Sequence, residues 1–167
     1  EIWRAKHGAG YSIAPMATYQ AGLIVFATGY NIPEFVAVDP TGSGDVSDTH
    51  VRWRAKNAPT MSSFIGNEGK IFAVTEKGIL TCLDAASGEV LSRSRVGGNY
   101  SASPLLADGK LYIFSREGYC SVLTCSTEFE QIARANLENG VMASPAVKGN
   151  DMILRSEKSI YRIKGRN

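Results

Sequence analysis

The sequence predicts an all-β chain in which one small antiparallel sheet is repeated several times. Two observations carry this prediction. First, Ala14-Pro15, Ser62-Ser63, Ser103-Pro104 and Ser144-Pro145 each open a short apolar run, and they recur about every 40 residues. Second, further strand-like segments follow each opening in the same order, three in each of the first three copies and two in the last, joined by turns rich in Gly, Asp and Ser. The second segments are Gly22–Phe26, Gly69–Val74, Gly109–Phe114 and Asn150–Leu154. The third are Phe35–Asp39, Leu80–Asp84, Cys120–Thr124 and Ile160–Ile163. The last is more polar and carries an arginine in every copy: Trp3-Arg4-Ala5-Lys6, Trp53-Arg54-Ala55-Lys56, Ser92-Arg93-Ser94-Arg95 and Ala133-Arg134-Ala135-Asn136.

In chain order, residues 1–6 read as an outer strand with no sheet before it. Residues 12–56, 61–97 and 101–137 read as three complete units, and 142–164 as an incomplete one of three strands. Thr75-Glu76-Lys77-Gly78 and Ser115-Arg116-Glu117-Gly118 are hairpin turns in which Gly supplies positive φ. In Asp84-Ala85-Ala86-Ser87-Gly88 the Asp side chain is free to accept turn amides. The second and third strands are apolar with little alternation, so both of their faces must be covered. Four strands in about 40 residues is the arithmetic of a β-propeller blade, whose sheets stack around an axis and bury one another. The chain therefore holds about four blades.

The 167 residues are 44% hydrophobic and 20% charged, enough for a core and too apolar for disorder. A net charge of +2, from 18 basic and 16 acidic residues well mixed along the chain, argues against nucleic acid or an anionic membrane as main partner. No apolar run approaches the roughly 20 residues of a membrane helix. No initiator Met or signal peptide opens the chain, so whatever precedes Glu1, targeting information included, is expected to be missing. Cys82, Cys120 and Cys125 read as free, buried or half-buried thiols rather than a disulfide or metal pair. His7 and His50, the only histidines, lie in no nucleophile motif and have no third imidazole for a metal cluster.

The segment Asp39-Pro-Thr-Gly-Ser-Gly-Asp45-Val-Ser-Asp48 offers Asp39, Asp45 and Asp48 as calcium candidates. The favoured alternative is an elongated loop in which Asp39 and Asp48 cap turn amides. Arg4, Arg54, Arg93 and Arg134 recur at one repeat position and are expected to keep the outer edge of each blade solvated. The crossovers 8–12, 97–101 and 139–143 run from one blade's rim to the next blade's inner strand. With Tyr11, Tyr100 and Met142 they are the first place to look for a binding face.

Ala37-Val38-Asp39-Pro40-Thr41-Gly42 is followed, after an insertion, by Trp53. Cys82-Leu83-Asp84-Ala85-Ala86-Ser87-Gly88 follows the same spacing with Ser92 in place of Trp, whereas the third unit has Thr124 and Ala133. On these residues the chain resembles the quinoprotein-type, or pyrroloquinoline-quinone-like, propeller repeat, whose hallmark is Ala-x-Asp-x-x-Thr-Gly-Lys-x-x-Trp. Within that group it is similar to the bacterial propellers related to the outer-membrane assembly factor BamB. The resemblance implies that Trp3 and Trp53 dock between blades, with Asp39, Asp84, Gly42 and Gly88 shaping the turns beneath. It further implies the C-terminal half of a seven- or eight-bladed ring, placed in the periplasm or cell envelope and binding a protein partner.

Quinoprotein dehydrogenases of this fold hold the quinone between a Trp and a vicinal disulfide, above calcium bound by carboxylate and amide. This chain has no adjacent cysteines, so neither the quinone nor calcium is expected, and no catalytic residue is assigned. The alternatives are a dehydrogenase whose site residues lie in another half and a carbohydrate-binding propeller. An open half-ring is expected to expose one apolar blade face at each end. Closure is expected through a homodimer, through a four-blade ring with Ile2–Lys6 beside Ser159–Lys164, or through another half of the same propeller.

Overall fold

The computed structural model describes residues 1–165, and among them there is no helix. A two-residue strand β1 (Trp3–Arg4) precedes the first sheet, made of β2 (Thr18–Gln20), β3 (Leu23–Ala27), β4 (Glu34–Val38) and, after a short β5 (Gly44–Asp45), β6 (Val51–Lys56). The second sheet holds β7 (Ile65–Asn67), β8 (Lys70–Val74), β9 (Ile79–Asp84) and β10 (Val90–Arg95). The third holds β11 (Leu105–Ala107), β12 (Lys110–Phe114), β13 (Tyr119–Thr124) and β14 (Gln131–Asn136). The fourth has three strands, β15 (Ala146–Lys148), β16 (Asp151–Arg155) and β17 (Ile160–Lys164). Each four-stranded sheet is an antiparallel meander in chain order, the blade of a β-propeller.

The three complete sheets share one irregularity. Arg52, Leu91 and Ile132 are each the extra residue of a bulge between the third and fourth strands, one position before Trp53, Ser92 and Ala133. A bulge increases twist and bends its strand, and here it falls at the same place in every blade.

Because side chains alternate along a strand, each sheet has a leading face toward the preceding blade and a trailing face toward the next. Leu23, Val25 and Phe35 on the first sheet's trailing face pack with Phe64, Ile71 and Leu83 of the second. Phe35 and Phe64 meet edge to face at 5.2 Å between centroids. Phe72, Val74 and Leu80 then pack with Leu111, Ile113 and Leu123, and Phe114 with Val141 and Leu154. The strand interiors are apolar on both sides because both sides are interfaces. Cys82 lies buried, and Cys120 and Cys125 half-buried, at these junctions, and burial pushes all three thiols up in pKa.

Nearer the axis, a ladder of hydrogen bonds links equivalent residues at the starts of the inner strands. The Met16 amide donates to Ser63 Oγ (2.9 Å), that of Ser63 to Ser103 Oγ (3.0 Å), and that of Ser103 to Ser144 Oγ (2.9 Å). The recurring serine thus ties each blade to the next.

The ends of the array differ from expectation. Residues 1–6 do not lie beside Ser159–Lys164. β1 pairs in parallel with β5, through hydrogen bonds from Gly44 N–H to Ile2 O and from Val46 N–H to Arg4 O (both 2.9 Å). The insertion between β4 and β6 is long enough to reach over and hold the N-terminal strand. The first sheet's leading face is accordingly covered: Val36 and Val38 are buried under Trp3, Ala5 and Val46. The fourth sheet's trailing face is not an apolar surface either. Arg162, opposite Ile153, stands where the other sheets have Ala37, Cys82 or Val122. Arg155, opposite Ile160, stands where they have Ala27, Val74 or Phe114. Two guanidinium groups among isoleucines make this end far more soluble than the interior faces. No described helix is long and apolar enough to cross a membrane.

Candidate functional site

One rim of the molecule gathers the turns between second and third strands and the crossovers that enter each blade. Three isolated bridges at equivalent places, Tyr11 with Tyr30, Tyr100 with Ser115 and Val141 with Ser156, clip a crossover to a turn. Carboxylates tie crossover to turn at two places, at the entry to the second blade and beside the Tyr100–Ser115 clip. Glu76 Oε1 accepts the Thr60 and Met61 amides at 2.6 and 2.8 Å. Glu117 accepts the Asn99 amide and, at 2.7 Å, its side-chain Nδ2–H. The Asn99 side-chain hydrogen bond is the chief reason the Glu117 carboxyl titrates low, at about 2.

Between the first and second sheets this rim holds a groove of about 830 Å³ lined by Tyr30, Asn31, Pro33, Asn57, Glu76, Lys77 and Arg93 among others. Beside it stand two exposed rings, Tyr11 (56% accessible) and Tyr30 (59%), with centroids 5.7 Å apart. Ile13, Ile32, Met16 and Met61 add further exposed apolar surface. Ser101 Oγ reaches Met61 Sδ at 3.7 Å, and Arg116 Nη2 reaches it at 3.8 Å. The face combines aromatic and thioether surface with a few fixed polar groups, a composition suited to docking another protein.

Of the three residues that sequence placed on this face, Tyr11 and Met142 (53% accessible) are exposed and Tyr100 is not. At 3% exposure Tyr100 packs with Phe72, Leu111 and Phe129, because the crossover before the third blade turns its ring into the interface; burial also raises its phenol pKa. Tyr30, Met61 and the two turn glutamates were not foreseen. The Thr75–Gly78 and Ser115–Gly118 turns were visible, but the carboxylate occupies a different turn position in each, so no fixed spacing marked it.

Trp53 packs against the second blade, with Nε1–H donating to Ala85 O at 3.1 Å. Gly88 has φ +75°, and a Cβ built there would lie 2.5 Å from two indole carbons, so both conformation and space demand glycine. Asp84 Oδ1 accepts the Ala86 and Ser87 amides and the Ser87 hydroxyl, which hold its carboxyl below the usual range. Trp3 meets different surroundings. The space above Gly42 is filled by His50 and Val46 of the insertion, and Trp3 packs on Val36, Val38 and Val46 instead.

The calcium candidates do not converge. Asp39 is held by the Thr41 amide and hydroxyl and by Arg52 Nη2 at 2.6 Å, which keep its carboxyl strongly ionised. Asp45 takes the Ser47 hydroxyl, at 2.5 Å, and amide, with Lys6 Nζ at 3.4 Å, and titrates at about 2, chiefly through Ser47. Among the described residues no three carboxylate, imidazole or thiol groups come together as a metal site.

The family model described as outer membrane protein assembly factor BamB matches residues 1–128. The BamB of Legionella pneumophila (strain Paris) is 25% identical over 142 residues, covering 84% of this chain and 32% of that protein. The crystal structure of BamB from Moraxella catarrhalis superposes with a TM-score of 0.70 at 18% identity, over 92% of this chain and 48% of that one. A europium-containing methanol dehydrogenase gives 0.57 at 16% identity, over 77% and 26%. The chain thus spans about a third to a half of the BamB proteins it matches. With the family model covering most of its length and its sheets superposing on a BamB propeller, the chain belongs to the BamB family.

Proposed function

We propose that this chain is a non-catalytic propeller module that binds proteins in the bacterial cell envelope and serves outer-membrane protein assembly, as the name of its relatives states. The observation that carries this reading is the rim built from Tyr11, Tyr30, Met61 and the groove beside them, which offers apolar docking surface. The periplasmic placement follows from the family alone.

The residues present do not fit the quinone of the related dehydrogenases. Trp53 is committed to Gly88 and Ala85, Trp3 to the valines of the first sheet, and no two cysteines are adjacent. Likeness to the methanol dehydrogenase is one of fold. Titrating the protein with pyrroloquinoline quinone and calcium should leave no cofactor absorbance and no dye-linked oxidation of alcohols or sugars; turnover would overturn the non-catalytic reading. In envelope extracts, the Tyr11→Ala/Tyr30→Ala double variant should lose the proteins the native chain retains, and undiminished retention would remove this rim from consideration.

A further inference from the structure

Arg54, Arg93 and Arg134 stand at one position of the fourth strands β6, β10 and β14, and their surroundings differ. Arg54 reaches Glu34 Oε2 at 3.4 Å and the Lys6 carbonyl at 3.3 Å. Arg134 lies over the Tyr119 ring at 4.2 Å. Glu34 and Tyr119 share a repeat position, the residue that begins the third strand of each blade. In the second blade that position is Ile79, which can neither pair with a guanidinium nor stack on it. Arg93 accordingly has no hydrogen bond, ion pair or ring contact among the described residues.

This uncommitted guanidinium lines the groove between the first and second sheets. Arg93 stands opposite Thr81, on the same face of the sheet as Ile79 and turned toward the first blade. Thr81 is 3% exposed, and its Oγ1 has no hydrogen-bond partner among the described residues. Buried hydroxyls are ordinarily hydrogen-bonded, and strand alternation points this one into the space between the sheets, one step below Ile79. Across that space β6 offers Trp53 and then Ala55, whose small side chain leaves the upper part open. The first blade's turn makes the groove deep. Thr28 N–H closes on Glu34 O with residues 29–33 between them, whereas Thr75 closes on Ile79 with 76–78 between, and the longer turn carries exposed Tyr30 into the wall. Lys77 also lines the groove and has no ion pair among the described residues. The lining carboxylate, Glu76, is already taken up by the Thr60 and Met61 amides.

We propose that this groove binds an acidic segment of a partner protein, with an Asp or Glu carboxylate on the Arg93 guanidinium, Lys77 beside it, and a neighbouring apolar side chain against Tyr30 and Ile79. The carboxylate takes the place that Glu34 holds toward Arg54 within the first blade, and a guanidinium fits it through two parallel N–H donors. The segment is a peptide rather than a free anion because Pro33, Ala58 and Ile79 wall the groove beside the two cations and give apolar side chains a surface. This inference rests on the protein-binding role proposed above and states what that rim selects.

A phage-displayed library of random heptapeptides, selected on the native chain, should enrich Asp or Glu next to an aromatic or aliphatic residue. A selected peptide, resynthesised, should shift the amide resonances of Asn31, Asn57 and Lys77. Its amide form, with Asn for Asp or Gln for Glu, should bind about tenfold more weakly. Arg93→Gln should erase that difference, whereas Arg134→Gln, at the equivalent position of the third blade, should keep it. Selection without acidic enrichment, an acid-to-amide difference that survives in folded Arg93→Gln, or displacement of the peptide by inorganic phosphate at equal concentration would overturn the proposal. The rim itself is judged separately. Envelope proteins lost by the Tyr11→Ala/Tyr30→Ala variant but retained by Arg93→Gln would overturn the carboxylate site and leave the rim standing, and undiminished retention by both would overturn the two together.

Discussion

The tetrapeptide Trp-Arg-Ala-Lys sits in two settings. At 53–56 it is an antiparallel fourth strand, its indole pressed on Gly88 and hydrogen-bonded to Ala85. At 3–6 it runs parallel to a two-residue strand of a loop, its indole on Val36, Val38 and Val46. The sequence of the strand is the same; what differs is the receiving turn. The second blade presents the compact Asp84–Gly88 turn, whereas in the first blade the insertion puts His50 and Val46 above Gly42. Docking is therefore specified by the blade that receives the tryptophan rather than by the strand that carries it.

The largest effect should come from separating the two indoles. Trp53→Ala removes buried aromatic surface and leaves the Ala85 carbonyl without its donor, a loss of about 3 kcal/mol. Trp3→Ala should cost about half as much, because its indole N–H has no hydrogen-bond partner among the described residues and Val46 can settle into the gap. Gly88→Ala should approach the Trp53 value, since it adds a strained positive φ to a collision with the ring. Denaturant midpoints at matched m-values would measure all three. Equal losses for Trp3 and Trp53 would mean that the receiving turn does not matter.

Much of this architecture was legible in the sequence, and the reason is repetition. Apolar second and third strands, Gly at Gly78 and Gly118, and the recurring outer arginine each appear several times, so chance matches cancel. What occurs once was not legible. The clasp of β5 on β1 depends on an insertion found only in the first blade, and nothing in its composition distinguishes a clasp from a calcium loop: Asp39 and Asp45 suit either until Arg52 and Lys6 are seen beside them. Arg162 was read only as part of a strand, and Arg155 fell just outside one, because facing could be assigned only once the register was known. The buried Tyr100 failed for the same reason, a crossover residue's direction being set by the neighbouring blade.

A second contrast is between junctions that carry the serine ladder and the covered leading face of the first sheet, which has none. Ser103→Ala removes the acceptor of Ser63 N–H while leaving the Ser103 amide bonded to Ser144. The expected loss is about 1 kcal/mol, read as faster amide exchange at Ser63 and neighbouring residues of the second and third blades. Exchange in β1 and β5 should be unchanged. If it rises there too, the ladder and the clasp are one cooperative unit rather than two.

Acid should produce the smallest effect and should act on the clasp. Asp45 ordinarily titrates at 3.8 and in the folded chain at about 2, because Ser47 and then Lys6 favour its charged form. A depressed carboxylate contributes stability in full above its unfolded pKa and loses it as pH falls through the folded one. The contribution should therefore be intact at pH 5 and fade between about 3.8 and about 2. Lys6 and Ser47 then lose their charged acceptor, and protection of Gly44 and Val46 relative to intrinsic exchange should fall before the apolar junctions respond, since those hold few ionisable groups. Asp45→Asn should show at pH 5 the lowered protection, relative to intrinsic exchange, that the native chain shows at pH 2, and little further loss on acidification. Glu117, held to about 2 by Asn99, titrates over a similar range but on the opposite rim, so Glu117→Gln should leave the β1–β5 response in place. A native-like acid response in Asp45→Asn would place the titrating group elsewhere, with Asp39 next in line because it sits at the base of the same insertion and is held by Arg52.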